Sequence, residues 1–240
     1  MRGLILATQF LTRLPTPQVA DFEPADLTRC AVWFPAVGLI IGALLAALAL
    51  VASGQPPMFA AMLLLGLWTW VTGGLHLDGL ADLADALGAA HSMPERFLEV
   101  LKDPHLGSFG VIALVLLLLA KFTMLALLPV SSIAALLLIP AWARLGPLVW
   151  VWWLPPLHGG MGDRFAWQRQ PVAMLVWAAT LVAASVWLSP RLLIAPILIA
   201  AWGLFLKRRL DGQCGDALGA GIEVVELGLL AALVVNPALG

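Results

Sequence analysis

Seven long apolar runs divide the chain, at about 32–52, 58–75, 109–128, 132–154, 172–188, 191–206 and 223–236. Most reach the roughly 17–25 residues that a helix needs to cross a bilayer. The last two are shorter, and the run at 191–206 carries Pro196, so tilt, kinking or partial insertion is expected there. Ahead of them, Met1-Arg2-Gly3-Leu4-Ile5-Leu6-Ala7 opens basic and then apolar, but Gln9, Thr12 and Arg13 interrupt it and no small-residue cleavage site follows. Residues 2–14 therefore read as an amphipathic segment lying on the membrane, not as a signal peptide. The pattern predicts an all-α fold: a polytopic integral membrane helical bundle of about seven transmembrane helices plus an N-terminal interfacial helix, in a single domain over residues 1–240.

Composition agrees with this reading. The chain is 62% hydrophobic and only 11% charged, and its mean hydropathy is +0.98; a soluble domain carries about a quarter charged residues. The two cysteines, Cys30 and Cys214, form no CxxC and no cluster with histidine, which argues against zinc and against a disulfide framework. A net charge of −1 says nothing about partners.

The placement of charge tells more than its sum. With the N-terminus in the cytoplasm, seven spans put residues 1–31, 76–108, 155–171 and 207–222 on that side. These hold Arg2, Arg13, Arg29, Arg96, Lys102, Arg164, Arg169, Lys207, Arg208 and Arg209, against Arg191 alone on the other side. This is the positive-inside pattern. All the carboxylates lie at or near the same face, so chemistry is expected there. Tryptophans at 33, 68, 70, 150, 152, 153 and 187 lie toward span ends, where indole suits the headgroup layer.

The chemistry is concentrated in three places. In Gly73-Gly74-Leu75-His76-Leu77-Asp78-Gly79-Leu80-Ala81-Asp82-Leu83-Ala84-Asp85, the aspartates are spaced i, i+4, i+7 and fall within roughly 60° on one helical face. Three stacked like charges repel unless a cation sits among them, and hard divalent ions such as Mg²⁺ take carboxylate oxygens. His76 beside them is a candidate base or ligand. The segment continues to Lys102-Asp103-Pro104-His105-Leu106-Gly107, where Lys102 and His105 are candidate phosphate contacts. A second acidic cluster, Asp211 to Glu226, follows the basic run Lys207-Arg208-Arg209; its glycines read as a flexible approach, with Asp216 capping the last helix. Two glutamates, Glu223 and Glu226, sink into the apolar run, where charge is costly. Third, Arg144 interrupts a span and wants a carboxylate or phosphate partner; Lys121 either pairs internally or faces a water-filled cavity. Two acidic clusters, a deep arginine and a basic rim suggest phosphoryl or phosphodiester transfer, in which carboxylate-held metal and a cationic side chain absorb phosphate charge. No G-x-x-x-x-G-K-[ST] loop is present.

Several motifs occur together in order: Phe10-Leu11-Thr12-Arg13-Leu14-Pro15; Gly74 to Asp82, running on through Asp85-Ala86-Leu87-Gly88; Lys102-Asp103 with Gly107 and Phe109-Gly110; and Gly215-Asp216 with Gly219-Ala220 and Glu223. This set resembles the adenosylcobinamide-GDP ribazoletransferase (cobalamin synthase) family over residues 5–226. The chain departs from the family pattern at Cys214, where Thr is usual, and at His105, where Arg is frequent. The resemblance implies a bacterial inner-membrane enzyme with its active site facing the cytoplasm. Its small-molecule substrates are adenosylcobinamide-GDP and α-ribazole or its 5′-phosphate, GMP is released, and Mg²⁺ is required; no nucleic acid partner is implied, and a homo-oligomer is left open. It further implies metal at Asp78, Asp82, Asp85, Asp216 and Glu223, catalytic roles for Asp82, Asp78, His76 and Arg144, and phosphate contacts from Lys102, Arg144 and His105. Two other readings fit parts of the pattern: a CDP-alcohol-type membrane phosphotransferase, and a proton-coupled transporter, although the latter predicts carboxylates at mid-membrane and inverted repeats.

Overall fold

The computed structural model describes residues 2–19, 26, 29–90, 97–101, 103, 105–157 and 169–235. Among the described residues these α-helices run in order: α1 (Arg2–Leu11), α2 (Phe34–Val51), α3 (Pro57–Thr72), α4 (Leu75–Ala90), α5 (Phe97–Val100), α6 (Ser108–Ala126), α7 (Ile139–Trp153), α8 (Pro171–Leu188), α9 (Ala195–Leu210) and α10 (Gly215–Val234). Short 3-10 turns precede α2, α7 and α9. Among the described residues there is no strand, and one isolated bridge pairs Pro156 with Gln213. The all-α bundle expected from the apolar runs is therefore what the chain forms.

Six helical segments, Ala31–Val51, Ser108–Ala126, Val130–Trp153, Pro171–Leu188, Pro190–Leu210 and Gly215–Val234, are long and apolar enough to cross a membrane. The seventh run is different. Helices α3 and α4 pass that test only as a pair, bent by 86°. The bend follows from Gly73-Gly74, which take φ of 64° and 73°, a left-handed conformation that costs glycine nothing. Their N–H groups donate back to Trp70 O and Thr69 O, closing α3. Helix α4 packs along α6 and α10 as the second arm of the bent pair.

Two helices form the inner wall of the bundle. In α7 nearly every residue from Ile139 to Leu148 is buried, and α10 buries most of Ala217–Val225. By contrast α8 turns most of its length outward, with Trp187 90% exposed. Not every tryptophan lies on the rim: Trp68, Trp142 and Trp150 are buried, and the indole N–H groups of Trp142 and Trp150 donate to Ser185 Oγ (2.9 Å) and Ile199 O (2.8 Å). Helix α1 is amphipathic as expected, and its inner stripe of Leu6, Ala7 and Leu11 is buried beside α2.

Candidate active site

The acidic stripe is built on α4, and its partner comes from the other end of the chain. Helix α10 runs antiparallel to α4, so that Gly79 meets Asp216 while Gly219 meets His76. The approach is close: a methyl group at Gly79 would lie 2.9 Å from Asp216 Cα. Of the glycines expected to form a flexible approach, Gly215, Gly219 and Gly221 belong to a helix that begins at Gly215, eight residues before the apolar run, while Gly212 lies in the bend before it against Pro155 and Leu157. Small residues let the backbone of α10 touch α4. Cys214 caps that helix, its Sγ accepting from Ala217 N–H at 3.5 Å; burial pushes the thiol up to about 11, so it stays protonated at neutral pH.

This contact brings Asp78, Asp82 and Asp216 together. Asp78 is exposed, and Asp82 and Asp216 are half-buried. Asp82 feels the charges of Asp78, Asp216 and Asp85, in that order, and Asp216 feels Asp78. No cation among the described residues pairs with any of the three. As they stand, no three His, Cys, Asp or Glu side chains among the described residues are close enough to hold one metal ion. What fits a divalent cation is the donor chemistry: hard oxygens, uncompensated charge and access from outside.

Asp85 lies on the same stripe and is held by backbone amides. Its two oxygens accept from Gly107 N–H (2.7 Å) and Gly110 N–H (2.9 Å), so it serves as an external cap on the N-terminus of α6. Expected among the metal ligands, it is instead engaged by backbone amides of a neighbouring helix. Asp85→Ala should therefore lower the stability of the detergent-purified protein by about 2 kcal/mol, the scale of charge-assisted hydrogen bonds. The metal concentration that half-saturates turnover should stay unchanged; a shift there would return Asp85 to the ligand set.

Glu223 and Arg144 are likewise engaged elsewhere. Lys121 Nζ donates to Glu223 Oε2 and Glu226 Oε2, each at 2.6 Å, and Arg144 Nη1 donates to Glu226 Oε1 at 2.7 Å and Pro140 O at 3.1 Å. Trp68 covers the lysine, its ring centroid 4.4 Å from Nζ. Arg144 and Glu226 are fully buried, Lys121 and Glu223 nearly so. Two cations and two carboxylates thus form a neutral, enclosed network. Glu223 is held by Lys121, and Arg144 is fully enclosed. His76, 3% exposed, points Nδ1 at Arg144 Nη2, 3.5 Å away, and so joins α4 to the network instead of facing solvent as a base. Lys121 and Trp68 are the members that charge patterning alone did not place.

The remaining candidates lie in the segment between α5 and α6. His105 is exposed and its ring bonds Asp103 at 2.6 Å, which holds the Asp103 carboxyl below the usual carboxylate range. Lys102 lies outside the described residues.

Fold and site together define a class: a polytopic helical membrane protein with an accessible carboxylate site assembled from helices near opposite ends of the chain. The model of the cobalamin-5-phosphate synthase family matches residues 3–234, and the chain belongs to that family. A protein of Laribacter hongkongensis named adenosylcobinamide-GDP ribazoletransferase is 58% identical, covering 98% of this chain and 97% of its own length. Proteins of the same name from Novosphingobium aromaticivorans and Pseudomonas aeruginosa are 50% and 39% identical; the alignments cover 98% and 97% of this chain and 97% and 98% of those proteins. No solved structure matches the chain.

Proposed function

We propose that this protein joins adenosylcobinamide-GDP to α-ribazole, or to its 5′-phosphate, and releases GMP. The observation that carries the reading is the juxtaposition of Asp82 and Asp216 across Gly79, in a chain whose relatives along its whole length carry that enzyme's name. Three carboxylates with no ion-paired cation among the described residues are a liability in a fold and an asset to a phosphotransferase. Asp82 and Asp216, with Asp78, would hold Mg²⁺. Bound there, the ion would neutralise the substrate's pyrophosphate oxygens and stabilise the departing phosphate.

The rest is the work of this chain's side chains. A ribazole hydroxyl attacks the phosphorus on the cobinamide side; the new P–O bond forms as the P–O–P bond breaks, and the bridging oxygen leaves with GMP. The hydroxyl proton passes to a carboxylate oxygen of Asp78, the exposed member of the trio and a better acceptor by position than the enclosed His76. The buried network fixes the angle at which α10 presents Asp216 to α4. The basic residues gathered at the loops on the site's side support a cytoplasmic orientation in a bacterial inner membrane.

The test is GMP release by purified protein given adenosylcobinamide-GDP and α-ribazole, with Mg²⁺ and with excess chelator. Release that stops on chelation and returns with Mg²⁺ supports the whole reading. Release that ignores the chelator removes the metal, and no release with any ribazole acceptor removes the activity.

A further inference from the structure

The segment Phe10-Leu11-Thr12-Arg13-Leu14-Pro15 takes no part in the ion network, yet the structure holds it firmly. Thr12 Oγ1 donates to Thr8 O at 2.7 Å and accepts from Leu14 N–H at 3.2 Å. Arg13 N–H donates to Val71 O at 2.7 Å, tying the end of α1 to the end of α3. From that anchor the Arg13 side chain crosses Gly73, where an added Cβ would lie 2.5 Å from Nε. Glycine is therefore required at 73 twice over, by its φ of 64° and by the arginine laid against it.

Arg13 differs from the other cations near the site. Lys121 and Arg144 are enclosed and paired, whereas Arg13 is exposed and makes no ion pair with any described residue. A cavity of about 570 Å³ opens beside it. Gln9, Phe10 and Thr12 line it with Arg13 on one side, Thr72 and Asp78 on the other, and Leu114 of α6 completes the wall. The volume suits a nucleotide-sized ligand. Arg13 and Asp78 share this space without meeting, and Asp78 belongs to the carboxylate trio. A ligand in the cavity therefore reaches the acidic site on one side and a guanidinium on the other.

We infer that this cavity holds the nucleotide half of the diphosphate substrate, and that Arg13 is the cation that meets the phosphate departing as GMP. The inference rests on the reading given under Proposed function. When the P–O–P bond breaks, the bridging oxygen and its electron pair go to the nucleotide, so negative charge grows on the group that Arg13 faces. A guanidinium fork offers two parallel N–H donors to phosphate oxygens, which a lysine cannot reproduce. The bend at Gly73-Gly74 does two jobs in consequence: it aims α4 at α10, and it leaves room for the arginine.

The experiment compares wild type, Arg13→Gln and Arg13→Lys in two assays: steady-state turnover, and equilibrium binding of GMP without the second substrate. Arg13→Gln should raise both the KM for adenosylcobinamide-GDP and the Kd for GMP by about ten-fold or more, the scale of a lost charge-assisted contact. Arg13→Lys should fall between, kcat should fall in both variants because the charge that Arg13 meets grows in the transition state, and the KM for α-ribazole should move less than about two-fold. Unchanged GMP binding in a folded Arg13→Gln protein overturns the inference. If that variant does not fold, Leu114→Trp decides, because filling the cavity should weaken GMP binding by a similar factor; normal binding then overturns it. A wild type that binds GMP in an Arg13-dependent way but makes no corrinoid product would leave the cavity standing and remove the reaction. A wild type that turns over without measurable GMP binding would do the reverse.

Discussion

Asp82→Ala should reduce GMP release by at least about 10³-fold, as expected when a group that positions metal or stabilises transition-state charge is removed. It should do so in a protein that is no less stable than wild type. The two halves of that result have one cause. Asp82 has no cationic partner among the described residues and is repelled by Asp78, Asp216 and Asp85, so its charge costs the folded state free energy and is tolerated for function. Removing it relieves that repulsion, and the thermal midpoint in detergent should hold or rise. Asp82→Asn, which keeps the shape and loses the charge, should behave alike in both assays. Retained turnover would take Asp82 out of the mechanism. A falling midpoint would show that the carboxylate has a structural partner instead.

Much of this site was legible in the chain because its clues are local. Apolar runs, most of them long enough to cross a bilayer, announce the spans, and the i, i+4, i+7 aspartates announce a charged face; the break at Gly73-Gly74, inside the run 58–75, went unread. The ordered motifs then tie these features to one family, which spacing alone does not do. What stayed hidden depends on partners far away in sequence. Asp85 looks identical to Asp78 and Asp82 in a helical projection, yet its partners are backbone amides 22 and 25 residues on, and an amide carries no sequence signature. Glu223 looks like a ligand because a carboxylate in an apolar run is usually functional. Its lysine lies 102 positions away, and only the register of α6 against α10 brings the two together. Gly219 and Gly221 misled for a related reason: the same residue type serves a flexible approach and a close packing contact within a helix. Arg13 counts as one more basic residue of the rim until the fold lays it across Gly73.

The buried network offers the second large effect, and it separates structural from catalytic roles. Lys121, Arg144, Glu223 and Glu226 balance charge within the bundle, with Glu226 bridging both cations. Glu226→Gln leaves one positive charge in excess where water cannot reach it, a loss expected to cost about 3–5 kcal/mol. At this chain length that lowers the thermal midpoint by roughly 10 °C, measurable by unfolding in detergent. Lys121→Met should be comparably harmful, because it strands Glu223. Combining Lys121→Met with Glu223→Gln removes one charge of each sign and keeps the Arg144–Glu226 pair, so the double variant should be more stable than Lys121→Met alone, a favourable coupling of the kind found between contacting residues. Turnover in the double variant then carries the decision. If Glu223 only balances charge, activity returns with stability, since Asp78, Asp82 and Asp216 are untouched. If Glu223 swings out to hold the cation during the reaction, the double variant folds but stays inactive, and the enclosed network is one state of a site that must open to work.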